Sequence, residues 1–335
     1  MSRGPIAAAV ALLAVTGAAL VVTASDSIET GGRSVPAAGS ATGRWRALAP
    51  AGLERTEVAA ARIGRSIYVV GGFDKTTGES TGALERYDIS GNRWTRLRSM
   101  PLGLNHPTAA ALGGRLYVHG GYRARRDLSS ASRRLYVYDP GPGRWRRLPD
   151  ARQERAAHAL VALRGRLFAF GGRSDEGDLR SMEVYAPRRR RWTRAPGLKG
   201  PPRDHMTGVS AGGFVYALAG RDLAGPGNYR TAERYDPRRR RWRLLPPMRK
   251  ARGGVASAGV SGGRVVVFGG EEAQGTIAEV EIYEPKARRW RRLAPMRTPR
   301  HGLGGASLGN RVYAIEGGPQ PGFHFASTLE FLDVR

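Results

Sequence analysis

The sequence predicts an all-β fold, a six-bladed β-propeller with four-stranded antiparallel blades, and three observations carry that reading. Six tryptophans, Trp45, Trp94, Trp145, Trp192, Trp242 and Trp290, follow one another at separations of 49, 51, 47, 50 and 48 residues. A glycine pair keeps the same beat at Gly71-Gly72, Gly120-Gly121, Gly171-Gly172, Gly269-Gly270 and Gly317-Gly318, with Ala219-Gly220 as the departure. Two independent markers at one period near 50 residues point to repeated blades. The third observation is a displaced residue. The sixth repeat reaches Leu329-Glu330-Phe331-Leu332-Asp333 and no tryptophan follows it, whereas Trp45 stands ahead of the first glycine pair. A strand around Trp45 would complete the last blade and close the ring, removing the open sheet edges of a linear array.

Taken in order, the chain begins with a basic start, Met1-Ser2-Arg3, and an uninterrupted apolar and small-residue run over 6–24 that ends Val22-Thr23-Ala24. That pattern predicts export, with residues 1–24 as a cleaved signal peptide or an uncleaved membrane anchor. No later segment approaches the length of a membrane span. Residues 25–43, rich in Gly, Ser, Thr, Ala and Pro, read as a flexible linker, and 44–335 as the propeller, expected to be monomeric.

Within each repeat four short strands are expected, exemplified by 58–63, 66–72, 83–88 and 93–98. Small residues dominate the first strand (108–112, 254–260, 302–308), as a crowded central channel requires. The second ends at the glycine pair, where a positive φ or a close backbone approach leaves no room for a side chain. The third carries Tyr87, Tyr138, Tyr185, Tyr235 or Tyr283, each seven residues before a tryptophan of the fourth strand, a spacing that suits inter-blade packing.

The glycine pairs, the Tyr and Trp spacing, and an arginine ahead of the first strand at Arg55, Arg155, Arg203, Arg252 and Arg300 together resemble the kelch-motif superfamily over residues 44–335. The resemblance implies a propeller fold but no single function, since kelch propellers include binding modules, a sialic-acid epimerase and copper-radical galactose oxidases. The last chemistry needs a cysteine-modified tyrosine. The chain has no cysteine, which excludes that oxidase along with disulfides and thiolate metal sites.

Two G-x-S-x-G matches, around Ser210 and Ser261, recur at equivalent turns between first and second strands. A nucleophile elbow needs a strand running into a helix, so they read as turn glycines. His106, His158, His205 and His301 fall just ahead of first strands, but no H-E-x-x-H or close pair supports a metal centre. The expectation is therefore no metal, no cofactor and no catalytic residue, with these imidazoles bonded to backbone between blades.

Lys and Arg number 55 against 28 Asp and Glu, a formal net charge of +27 carried almost entirely by arginine. Strand alternation puts the fourth-to-first and second-to-third loops on one face. Arg55, Arg155, Arg203, Arg252 and Arg300 would then ring that mouth of the channel, where guanidinium groups suit carboxylates, or else bridge neighbouring blades, since a five-fold repetition fits architecture as well as function. His158, His205, His301, Arg173, Asp175, Arg221, Asp222 and Glu271 join them as ligand-binding candidates, several from second-to-third loops of variable length. On the opposite face the third-to-fourth turns carry Arg188, Arg189, Arg190 and Arg191, then Arg238, Arg239, Arg240 and Arg241, a basic rim for anionic membrane surfaces or envelope polyanions. No stacking aromatics are interleaved there, so specific nucleic-acid binding is not expected.

The function predicted is an extracytoplasmic propeller binding an acidic protein segment or acidic glycan at its arginine mouth. The alternatives are a carbohydrate isomerase similar to the kelch epimerase, with Glu271, Asp175 or a histidine as acid or base, and a structural envelope scaffold.

Overall fold

The structure, a computed structural model, describes residues 43–335 apart from 223 and 226; the leader, anchor and linker readings over 1–24 and 25–43 lie outside the described residues, save Gly43 at the linker's end. Six four-stranded antiparallel sheets form the blades. In blade 1 the strands, from the channel outward, are Ala59–Ile63, Ser66–Val70, Leu84–Asp88 and Arg93–Leu97. The inner strands of the other five are Thr108–Leu112, Ala159–Leu163, Thr207–Ala211, Ala256–Val260 and Gly304–Leu308. They pack side by side in chain order and the last returns to the first.

The second strands read as continuous apolar runs because neighbouring blades cover both faces of each sheet. Ile67, Val69 and Val70 are wholly buried, as are Val265, Val266, Val267 and Phe268. These strands stop at residues such as Val70, two short of the expected 72, because both glycines that follow have positive φ, 72° and 90° in blade 1. The second position has no room for a Cβ: at Gly72 it would lie 2.4 Å from the Thr56 carbonyl oxygen.

Two bonds repeat around the ring and lock it. The N–H of the second glycine donates to the carbonyl of the residue in the arginine position one blade ahead: Gly72 to Leu104, Gly121 to Arg155, Gly172 to Arg203, Gly220 to Arg252, Gly270 to Arg300 and, closing the circle, Gly317 to Arg55, all at 2.8–3.0 Å. The same series corrects the sixth repeat by one residue. Its pair is Glu316-Gly317 and not Gly317-Gly318, with Glu316 holding the left-handed backbone (φ 53°) that glycine adopts in four blades and Ala219 in the fourth blade. The second recurrent bond runs from each tryptophan Nε1 to a carbonyl of the preceding inter-blade connection, at 2.8–3.1 Å. Trp45 takes part through Ala294, and the strand Arg46–Ala47 pairs with Phe331 and Glu330 as the outermost strand of blade 6. In five blades the tryptophan packs against the tyrosine seven residues earlier, with ring centroids 5.1–5.2 Å apart.

Candidate binding site at the channel mouth

A ring of ligand-facing arginines at the mouth is not what folds, and Arg55 also reaches a neighbouring blade through Glu316 at 2.8 Å. Arg55, Arg155, Arg203, Arg252 and Arg300 are each 0% exposed. Each points back into its own blade toward a glutamate on the third strand: Glu85 at 3.0 Å, Glu183 at 3.7 Å, Glu233 at 3.1 Å, Glu281 at 2.9 Å and Glu330 at 3.2 Å. The free guanidinium donors also reach carbonyls at the end of the second strand and just before the third, such as Gly71 and Ala83 for Arg55. In four blades the glutamate accepts backbone N–H bonds from the incoming connection, for instance from Lys199 and Gly200 onto Glu233. The pair therefore staples the inter-blade crossover to its blade. Blade 2 lacks both halves, with Leu104 in the arginine position and Tyr136 in the glutamate position, both buried. Burial pulls Arg155 and Arg300 down to about 10, outweighing the glutamate partners but leaving both charged at neutral pH.

What does face the axis is the residue two positions after each arginine. In every blade it has left-handed backbone: Glu57, His106, Ala157, His205, Gly254 and Gly302, with φ between 44° and 64°. The turn reverses the chain at the rim and aims the side chain at the centre. Three such side chains meet there. His106 Nε2 lies 3.0 Å from His205 Nε2 and 3.1 Å from Glu57 Oε2.

A closed circuit continues through loops that join second and third strands. Arg221 Nη2 donates to His205 Nε2 at 2.8 Å, and its Nη1 to Glu271 Oε1 at 2.5 Å. His301 Nδ1 lies 3.4 Å from Glu271 Oε2 and 3.2 Å from Glu57 Oε1. Burial drives His106 down to about 3 despite the nearby Glu57 carboxylate, so its ring is neutral. His301 goes the other way, its burial outweighed by Glu57 and Glu271. Burial alone would lift the Glu57 carboxyl, but His301 beside its Oε1 holds it below the usual carboxylate range.

Above this floor Phe73 and Phe323 pack at 4.8 Å between ring centroids. With Leu128 they form an apolar lip to a recess of about 100 Å³. Phe323 and Leu128 are the exposed members, at 55% and 45%.

The family described as the KLHDC2/KLHL20/DRC7 Kelch-repeats domain matches residues 57–257, and the Kelch motif matches 256–297. This chain belongs to the kelch-repeat family. Among curated kelch proteins it is 29% identical over 276 residues to Kelch-like protein terF of Aspergillus terreus, covering 77% of this chain and 58% of that protein. It is 34% identical over 136 residues to Kelch-like protein 36 of Rattus norvegicus, covering 40% of this chain and 22% of that one. The chain thus spans little more than half, or less, of these relatives. The solved structure titled "Structure of YjhT" superposes with a TM-score of 0.72 at 16% identity, over 85% of this chain and 96% of that one, a likeness of fold.

Within the kelch ring, four candidates from the sequence come together at the mouth: His205, His301, Arg221 and Glu271. Glu57 is not among the candidates from the sequence, and neither is His106, although it shares its place ahead of a first strand with His158, His205 and His301. The signal for both was Gly254 and Gly302, which mark the same repeat position as one of positive φ. Asp204 and Asn105 were also missed; they hold the imidazoles from behind, with Asn105 Oδ1 2.7 Å from His106 Nδ1.

The remaining candidates sit elsewhere. His158 is buried below the mouth, its Nε2 2.9 Å from His119 Nδ1 and 2.8 Å from Thr108 Oγ1, bonding between blades through side chains and not through backbone. Arg173 pairs with Asp178 at 2.9 Å. Asp175 accepts the Ala131 N–H, and Asp222 accepts that of Ala224 within its own hairpin. Arg188, Arg189, Arg190, Arg191, Arg238, Arg239, Arg240 and Arg241 are all exposed on the third-to-fourth turns.

Proposed function

We propose that this kelch propeller is an exported protein-binding module that takes a segment of its partner into the mouth recess. The observation that carries the reading is the recess itself: six polar side chains drawn from five blades converge beneath an exposed apolar lip. Lone exposed phenylalanines are ordinary, but an aromatic lip over a buried polar floor is the composition of a binding hot spot. The partner segment would lay an apolar side chain against Phe73, Phe323 and Leu128 and turn a polar group toward Arg221 and Glu271. An acidic polymer or membrane surface fits the opposite face better, because the arginines there are exposed and those in the arginine position ahead of each first strand are already matched. The apolar run over 6–24 supports placing the module outside the cytoplasm.

Selection from a displayed peptide library on the immobilised protein tests this reading. Enriched sequences should share an apolar residue, bind independently of salt, and lose about thirtyfold or more in affinity to Phe323→Ala, since truncating a hot-spot aromatic costs upward of about 2 kcal/mol. No enrichment, or enrichment indifferent to Phe323→Ala, would remove the mouth from consideration.

A further inference from the structure

The floor of the recess poses a hydrogen-bonding problem that its neighbours make acute. The amide nitrogen of Asn105 donates to Ser80 Oγ at 2.8 Å and to the carbonyls of Asp127 and Ala124 at 3.2 and 3.4 Å. Its Oδ1 is therefore the atom facing His106 Nδ1, at 2.7 Å. A carbonyl oxygen only accepts, so Nδ1 carries the proton and the neutral ring presents a lone pair at Nε2. Arg221 settles His205 in the same way. A guanidinium only donates, so the His205 Nε2 that it touches is also a lone pair. Glu57 Oε2 is the third acceptor. Three acceptors thus face one another, all within 4.8 Å, with no hydrogen assigned between them.

We propose that the floor is a binding site for a divalent transition-metal ion, held by Glu57, His106 and His205. Two imidazoles and a carboxylate form a donor set that takes zinc or ferrous iron and leaves positions open to a further ligand. A tetrahedral ion with bonds of about 2.0–2.1 Å keeps its donor atoms about 3.3 Å apart; two of the three separations here are 3.0 and 3.1 Å, both from His106, and the third, between Glu57 and His205, lies within 4.8 Å.

Each ligand is also held from its far side, as metal ligands are: His106 by Asn105, Glu57 through its other oxygen by His301, and His205 by Asp204, whose Oδ1 stands 2.9 Å from Nδ1 at an angle poorly aligned for a hydrogen bond. Ion binding requires Arg221 to withdraw from His205 Nε2 while its pairing with Glu271 keeps it beside the site. Asp204 and Glu271 pair with that guanidinium at 3.7 and 2.5 Å, and Glu57 adds a third carboxylate to the cluster.

The backbone supplies an independent reason. Glu57, His106 and His205 have φ of 55°, 50° and 44°, a conformation that costs an L-residue about 1–2 kcal/mol. Glycine occupies the same position in blades 5 and 6 and Ala157, also at φ 50°, in blade 3, so the turn itself needs no donor side chain there. The chain keeps these donors in spite of the strain.

The inference shares its place with the partner-binding reading and does not depend on it, because an ion binds whether or not a protein segment does. The experiment is a titration of the untagged, chelator-stripped full chain with cobalt(II), read by visible ligand-field absorption, followed by displacement with zinc(II). The expected result is one equivalent bound with a spectrum of mixed nitrogen and oxygen donors. Affinity should fall at least a hundredfold in Glu57→Gln, His106→Ala and His205→Ala and about tenfold to a hundredfold in Asn105→Ala, and remain unchanged in His324→Ala, which alters an exposed histidine. Absence of a saturable cobalt spectrum in the wild-type protein overturns the proposal whatever the variants do, and so does binding that survives in folded ligand variants or vanishes in His324→Ala. Phe323→Ala separates the two readings: it weakens peptide capture and leaves the cobalt titration intact.

Discussion

The two faces of the ring use arginine in opposite ways. At the mouth side, five arginines are fully buried and each is turned toward a carboxylate of its own blade. On the other side, the eight arginines of two adjacent turns stand in water, and among them only Arg239 has a carboxylate, Asp236, at the edge of ion-pair distance, 3.9 Å. The lesson is that a net charge of +27 does not say where charge is available. A buried guanidinium matched to a glutamate contributes order and little outward field, whereas an exposed one contributes field and little order.

Removing a buried arginine should have the largest effect. Arg203→Leu leaves Glu233 uncompensated in the interior and should cost about 3–5 kcal/mol in chemical denaturation. The double variant Arg203→Leu with Glu233→Tyr reproduces the Leu104–Tyr136 arrangement of blade 2 and should recover most of that loss. A single-variant loss below about 1 kcal/mol, the level of an exposed pair, would mean that the staple does not hold the crossover.

Glu316 gives the next effect. Burial pushes its carboxyl up to about 7 even though Arg55 lies 2.8 Å away. Between the ordinary 4.5 and that value the folded protein holds a proton that the unfolded chain has released, so stability falls as pH rises through this window, by on the order of 3 kcal/mol. Glu316→Gln should flatten that slope; an unchanged slope would assign it to another group. His119 works in the opposite sense. Burial takes it from 6.5 to about 3, so its contribution to stability is lost as pH falls below about 6.5. The acid limb of the stability curve should accordingly persist in the Glu316 variant.

The exposed face should give the smallest change in stability. Replacing Arg188, Arg189 and Arg191 by alanine should alter the unfolding free energy by less than about 0.5 kcal/mol, while elution from an immobilised polyanion shifts to lower salt. Elution unchanged by the substitutions would place polyanion contact elsewhere.

The fold was legible because its markers are local: each glycine pair and each Tyr–Trp interval lies within one repeat. Even so, the sixth repeat misled by one residue, because Gly318 follows Gly317 and disguises the fact that Glu316 fills the first position. The role of the arginines was written in the sequence as a shared absence. A glutamate stands two residues before the tyrosine position in five repeats, and the second repeat lacks both it and the arginine. The convergence of Glu57, His106 and His205 was much harder to read. They come from three different blades, and what aims them inward is a backbone conformation that non-glycine residues seldom declare. The sequence suggested diverging radii, whereas a left-handed turn at each rim position brings the side chains to one point.

Blade 6 has a consequence for how the chain finds its shape. Its outermost strand, Arg46–Ala47, is made first and can pair only with Phe331 and Glu330, which are made last. During synthesis on a ribosome that strand has no partner until nearly all of the ring has emerged. The entropy of drawing in so long a loop is modest, about 2 kcal/mol more than for a loop one tenth as long, but pairings of such high sequence separation form slowly. The latch that seals the circle is therefore the last contact to form, and a nascent ring must wait for it with one edge unpaired.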